Sequence, residues 1–248
     1  MRLSFGERSD PGRVRPNNED ACAVEVLNLP GGGALLVVAD GMGGYDGGEV
    51  ASRLAVETLR SHVVAGAAAA AEREGLANLL YDAIHQANLA ILKAQASRPE
   101  LAHMGTTLTV ALAAGSRLYI GHVGDSRAFL INAGKAQQIT SDHNVPNELV
   151  QSGHLTAEQA AVHPQRHVLT RVLGIQEELP VDRLELTWQP GDLLLLCTDG
   201  LSNLVGPTEI ETLAAGLAPA ALVDQLVELA LSRGGHDNIT VLAARWEG

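Results

Sequence analysis

Four aspartates each stand where an apolar, strand-like run begins or ends. Asp40 closes ALLVVAD, Asp125 follows LYIGHVGD, Asp199 closes LLLLCTD and Asp237 opens DNITVLAA. Strands carry residues that are distant in sequence to one end of a sheet. Carboxylates gathered there repel one another unless a cation neutralises them. Asp40 and Asp199 are each followed by glycine, which allows a backbone carbonyl to approach a ligand closely. The donors on offer are oxygens, which suit Mg²⁺ or Mn²⁺ rather than zinc. The pattern points to a metal-dependent hydrolase. Asp-Gly pairs also mark ordinary turns. One pair would say no more than that; two, with two further acids beside strands, favour the metal reading.

Composition restricts the class further. A chain of 248 residues, 46% of them apolar, can bury the core of one large domain or two small ones. The formal net charge of −12 argues against a nucleic-acid partner, because phosphate backbones are bound through basic patches. Two divalent ions at the aspartates would bring that charge to about −8. Cys22 and Cys197 lie inside apolar runs and read as buried thiols of a reducing compartment. Neither belongs to a paired cysteine motif for zinc. The start, MRLSFGERSD, is too short and polar for a signal peptide. LLLLC is bounded by Asp192 and Asp199, and no stretch reaches the length of a membrane span. The expectation is a soluble, cytoplasmic protein.

Along the chain, ALLVVAD reads as a strand covered on both faces. GMGGYDGG then forms a glycine-rich turn, and a helical pattern begins near Glu49. The turn stands between a strand and a helix, the right context for a nucleotide loop. Gly41, Gly43 and Asp46 nevertheless miss the third glycine of the dinucleotide fingerprint, and no P-loop string occurs. A second amphipathic helix spans about 76–97. TTLTVALAA, SRLYIGHVG and SRAFLINAG read as an antiparallel meander. The polar, His-rich stretch at about 141–167 reads as an inserted flap with short helices. Strands return at VDRLELTW and DLLLLCTD, a helix covers about 218–233, and the last strand about 238–246. Strands and helices fall in blocks, which is an α+β pattern.

Eight blocks make a specific resemblance. SDPGRVRPNNEDA, VVADGMGG, MGTTLTVAL, GHVGDSRAFL, ITSDHN, LTRVLG, LLLLCTDGLSNLV and GGHDNITVL occur in the order seen in the metal-dependent Ser/Thr protein phosphatases, the PPM or type 2C family, in its compact bacterial form. The resemblance implies one phosphatase domain over 1–248, built as two stacked antiparallel β-sheets flanked by α-helices. It implies that Asp40 bridges two metal ions, that the Gly41 carbonyl joins the first, and that Asp199 and Asp237 hold the second. Glu19 and Asp20 are implied to reach the ions through waters, and Asp125 to serve a third, weaker site. Arg15 matches the phosphate-binding arginine, whose planar guanidinium can grip two oxygens at once. An isolated arginine would read as a surface charge; four residues before Glu19-Asp20 it takes the functional reading.

Other residues take structural readings. Asn238 is expected to brace the metal-site loop, Thr106 and Thr107 to pack in a strand, and Arg13 and Arg127 to be solvated surface charges or to form structural salt bridges. Ser126 and Ser202 lie in no Gly-x-Ser-x-Gly elbow, so a serine hydrolase is disfavoured. Two positions depart from animal members of the family. Met42 stands where they carry a histidine assigned as general acid, and Asn203 where some relatives carry an aspartate. The implied function is hydrolysis of phosphoserine and phosphothreonine in proteins by a metal-activated water, opposing a Ser/Thr kinase, by a monomer. The alternatives are a phosphoprotein-binding module without turnover and a small-molecule phosphomonoesterase.

Overall fold

The computed structural model describes residues 1–43, 47–70 and 73–248. The part of the glycine-rich turn that carries Asp46 lies outside them. Two sheets are built from β1 (Leu3–Asp10), β2 (Asp20–Leu27), β3 (Gly33–Met42), β4 (Gly105–Thr106), β5 (Leu108–Ala114), β6 (Arg117–Val123), β7 (Arg127–Asn132), β8 (Lys135–Gln138), β9 (Asp182–Thr187), β10 (Leu193–Cys197) and β11 (Ile239–Trp246). The first has strand order β1-β11-β10-β7-β8. The second runs β2-β3-β5-β6-β9, with β4 added to β3, and every pairing is antiparallel.

Period-two alternation assigns each strand's side chains to one of two layers. On β3, Ala34, Leu36 and Val38 enter the core between the sheets, while Leu35, Val37 and Ala39 face the helical layer. On β11, Leu242 and Ala244 point between the sheets, and Ile239, Val241 and Ala243 point away. This explains why both strands are apolar throughout: each face is covered. α1 (Gly47–Gly66) and α2 (Arg73–Ser97) cover the second sheet, with Ala51, Ala55, Leu59 and Val63 forming one buried stripe of α1 at four-residue spacing. Two short helices, α3 (Val145–Gln151) and α4 (Ala157–Ala161), fall in the polar 141–167 stretch, and α5 (Asp199–Ser202) follows β10. α6 (Pro207–Ala214) and α7 (Pro219–Ser232) cover the first sheet through Ile210, Leu222, Leu226 and Ala230. The order of layers is helices, sheet, sheet, helices.

The meander reading needs one correction. β5 pairs with β6 as expected, but β7 joins the other sheet, between β10 and β8. The chain changes sheet at Gly124–Ser126. Alternation reports that a strand has two faces, not which sheet it joins, so the crossover is invisible to periodicity. The crossover leaves Asp125 between two sheets. No helix among the described residues is long and apolar enough to cross a membrane.

Candidate metal centre

Asp20 and Asp40 face each other directly across the β2–β3 ladder. Like charges in that position are destabilising. Asp125 arrives from the crossover, Asp199 opens α5, and Asp237 precedes β11. Five carboxylates thus reach one end of the sandwich from five places in the sequence, and each feels others of the set. Burial first, then the charges of Asp20, Asp199, Asp125 and Asp237, hold Asp40 well above the usual carboxylate range. Burial pushes Asp20 up to about 7, against the hydrogen bonds of Thr240 and Thr198 and with the charges of Asp199 and Asp237. Burial, then Asp199 and Asp142, push Asp125 up to about 8 against the pull of Arg127. Asp199 is likewise raised, by burial and then by Asp237.

The donor set fits a hard divalent cation. The Oδ1 atoms of Asp20 and Asp199 are buried without a hydrogen-bond partner, an arrangement that costs free energy unless something neutralises it. Among the described residues no three carboxylate, imidazole or thiol side chains close into a tight cage. An ion that keeps several of its waters, as Mg²⁺ does, needs no such cage.

Neutral groups hold the acids in place. The Asp40 N–H donates to Thr107 Oγ1 at 2.9 Å, and its carbonyl accepts from Thr106 Oγ1 and the Thr107 N–H, both at 2.9 Å. Thr107 Oγ1 also meets Ser126 Oγ at 2.8 Å, which ties the Asp40 strand to the Asp125 crossover. Thr106 and Thr107 thus hold the Asp40 backbone as well as packing in the strands, and Ser126 holds Thr107. Thr198 Oγ1 donates to Asp20 Oδ2 at 2.9 Å. The Asn203 amide donates to Asp199 Oδ2 at 3.0 Å, so the residue that departs from some relatives orients Asp199. The Asn238 side chain accepts from the Glu19 N–H and donates to the Pro11 and Asn17 carbonyls, bracing the 11–19 loop against β11.

Arg15 stands at the rim, half exposed, with Nη2 donating to Asp237 Oδ2 at 2.8 Å. The structure thus brings the expected phosphate-binding arginine and an expected metal ligand into one ion pair. The Glu19 carboxylate packs on Gly48 at the start of α1: a Cβ on Gly48 would lie 2.7 Å from Glu19 Cδ. Asp142 forms a two-pronged pair with Arg127, with Nη2 to Oδ2 at 2.7 Å and Nε to Oδ1 at 3.0 Å. His143 Nδ1 accepts the Gly124 N–H at 3.1 Å, which places its proton on Nε2, 3.2 Å from Asp182 Oδ2. His122 is fully buried between Thr109 and the Ser141 carbonyl, and burial pushes it down to about 4. Both histidines are structural. His167 is exposed and lines two clefts. One, of about 380 Å³, lies between the α3–α4 segment and Asp125 and Asp199; the other, of about 400 Å³, begins at Met42.

The two Asp-Gly pairs also meet a steric demand that the ligand reading did not include. A Cβ on Gly41 would stand 2.1 Å from the Gly48 carbonyl oxygen and 2.6 Å from that of Glu19. On Gly200 it would stand 2.0 Å from the Asn238 carbonyl oxygen. Glycine is required at both because other backbone crosses there. The Gly41 N–H donates to the Glu19 carbonyl at 3.1 Å, which fixes the loop on the strand.

With this geometry in hand, comparison with known proteins gives one result. A family model described as protein phosphatase 2C matches residues 13–232. The serine/threonine phosphatase stp of Listeria monocytogenes serotype 4b is 39% identical over 238 residues, which cover 95% of this chain and 92% of that protein. This chain belongs to the protein phosphatase 2C family. The Mycobacterium tuberculosis serine/threonine phosphatase PstP/Ppp superposes with a TM-score of 0.87 at 39% identity, over 99% of both chains. A structure of the PstP catalytic domain in complex with two manganese ions superposes with a TM-score of 0.84 at 38% identity, over 98% of this chain and 97% of that one.

Two outcomes test the centre without an activity assay. Asp20→Asn keeps an acceptor for Thr198 and removes one charge. Asp20 titrates near 7 in the fold and near 3.9 unfolded, so the metal-free fold binds this proton more tightly. Its unfavourable contribution therefore grows as pH rises from about 4 to about 7 and is complete above that. In EDTA, the variant should be the more stable at pH 8, by on the order of 2 kcal/mol because neighbouring acids share the proton, and the advantage should vanish by pH 4. A melting-temperature difference that does not change with pH would reject this. Gly200→Ala should cost about 1–3 kcal/mol and weaken Mn²⁺ binding in calorimetry by displacing Asp199. Unchanged melting and binding would show that the Asn238 carbonyl yields freely.

Proposed function

We propose that this chain removes phosphate from phosphoserine and phosphothreonine in proteins, at a centre that takes two Mg²⁺ or Mn²⁺ ions. One observation carries the reading: five carboxylates converge with two buried, unpartnered oxygens, in a chain 38% identical to a phosphatase domain solved with two manganese ions. Such ions, when bound, lower the pKa of water toward neutrality and stabilise charge on phosphoryl oxygens, as phosphate ester hydrolysis requires. Asp40 would hold both ions, with the Gly41 carbonyl joining the first. Asp199 and Asp237 would hold the second, and Glu19 and Asp20 would reach the pair through water. Asp125, which lines the same cleft as Asn203, would serve a third and weaker ion.

Arg15 binds the substrate phosphate in this reading. Its pair with Asp237 keeps the guanidinium at the edge of the centre, and half of the side chain faces solvent. Met42 has no proton to give, so protonation of the leaving group would fall to water held at the centre. The segment at 141–167 acts as a flap over the acidic cleft and selects among protein substrates. The charge of −12 fits a partner other than nucleic acid. The partner class is a phosphoprotein, including a Ser/Thr kinase, met in the cytoplasm by a monomer.

Phosphate release from a phosphothreonine peptide with Mn²⁺, compared with EDTA, is the direct test. Turnover that persists unchanged in EDTA ends the metal reading. Asp40→Asn should abolish turnover at saturating Mn²⁺ while the fold persists by circular dichroism; near wild-type rates would refute the bridging role. Arg15→Ala should lose kcat/KM by about 1.5–3 kcal/mol, the range for a hydrogen bond to a charged group, with little change in Mn²⁺ affinity. Wild-type kinetics would return Arg15 to the surface.

A further inference from the structure

The second cleft has a character unlike the first. The first is polar and charged, lined by Asp125, Asp142 and Asp199 together with Arg127 and Arg166. The second is walled by Met42, Leu169, Val172, Ile175 and Leu179, with His167 at the edge shared by both. Ile175 is 63% exposed although it lines a concave surface. Of the seven exposed large apolar side chains among the described residues, Val162, Val168 and Ile175 fall within one 14-residue stretch. A single exposed isoleucine is ordinary; one forming the wall of a cleft of about 400 Å³ is a binding feature. Arg171, the cation of this cleft, already donates to Asp182 at 2.8 Å, so the walls offer apolar surface rather than an anion site.

The cleft is also built onto the reacting strand. Met42 stands two residues past Asp40 on β3 and pairs with Gly105 of β4. Thr106 of β4 exchanges two backbone hydrogen bonds with Leu173, at 3.2 and 2.9 Å, which draws the 169–175 wall against the end of β3. An extended chain advances about 3.3–3.6 Å per residue. The cleft therefore begins about 7 Å from Asp40 along the strand, within reach of a side chain one to three positions from a residue held at the centre.

We propose that the cleft between Met42 and Ile175 receives an apolar side chain of the substrate protein, close in sequence to the phosphorylated residue. This rests on the phosphoprotein reading above and adds a sequence preference to it. The continuity through Met42 and His167 selects the substrate chain over other occupants, since its neighbours must cross the surface that adjoins the centre.

The test is kcat/KM with Mn²⁺ for phosphothreonine peptides carrying Leu or Asp at each of three positions on either side of the phosphorylated residue. Wild type should favour Leu at one or two positions by on the order of tenfold. Ile175→Asp should erase or invert that ratio, and Ile175→Ser should reduce it. Val26→Asp, which charges a different exposed residue on β2, should preserve it. No position favouring Leu, or a preference that survives Ile175→Asp, would overturn the proposal. A concentration-dependent dimer abolished by Ile175→Asp would place a second copy in the cleft and also overturn it. If wild type cleaves an aryl phosphate but none of the peptides, the phosphoprotein reading falls and this proposal with it.

Discussion

The repulsion between Asp20 and Asp40 is the constraint around which this end of the molecule is organised. The β2–β3 register places them opposite each other, and a slip of one residue would turn every side chain of β2 to the other face. The register is fixed by burial on both faces of β3, whose alternate residues enter two different cores. The same apolar packing that stabilises the sandwich therefore holds two carboxylates in an unfavourable position. Asp125, Asp199 and Asp237 add to the repulsion from three further directions. A divalent cation reverses the sign of this arrangement, so that the energy which opposes the empty fold favours the loaded one.

A cluster under such strain would spread apart if its residues were held by their own charges. Here most of the supports are neutral side chains, with Arg15 on Asp237 the charged exception. Thr106 and Thr107 grip the peptide groups of Asp40 rather than its carboxylate. Asn238 grips the peptide groups of the loop from Pro11 to Glu19. Asp20 and Asp199 each accept one side-chain hydrogen bond on Oδ2 and keep a buried Oδ1 with no protein partner. The close passages at Gly41 and Gly200 serve the same end, because backbone packed against backbone leaves no room for the acids to drift.

Much of this was legible in the sequence for a specific reason: a residue's position on a strand is encoded by local alternation. ALLVVAD, LLLLCTD and DNITVLAA announce buried strands, and their bounding aspartates follow at once. Relations between segments were not legible in the same way. Nothing in SRAFLINAG says that it leaves the sheet of its predecessor. The two-residue β4 is too short to have a period, yet it links the Asp40 strand to Leu173. A second reason for glycine after aspartate was not legible, because it lies 7 residues away for Gly41 and 38 away for Gly200, in carbonyls that only folding brings near. The order of the eight family blocks supplied the fold class that alternation could not choose.

The segment over the centre shows how a polar insertion can be both part of the site and separable from it. Its base is bound firmly. Asp142 holds Arg127, the His143 N–H donates to the Gly124 carbonyl at 2.7 Å, and the Thr170 N–H donates to the His143 carbonyl at 2.9 Å. His143 is stacked at 4.8 Å from the buried His122 and faces the Asp182–Arg171 pair. These contacts join the roots of the segment to the residues flanking Asp125. Its outer helix is different: α4 buries no residue and is closed by its own Thr156–Gln159 capping box. Rigidity at the base fixes where the two clefts open, and Ala157, Ala160 and Ala161 of the outer helix line the first of them together with Asp125 and Asp199. None of the hydrogen bonds that hold the aspartates comes from this outer helix, so its sequence can change the lining of the cleft while those bonds stay in place.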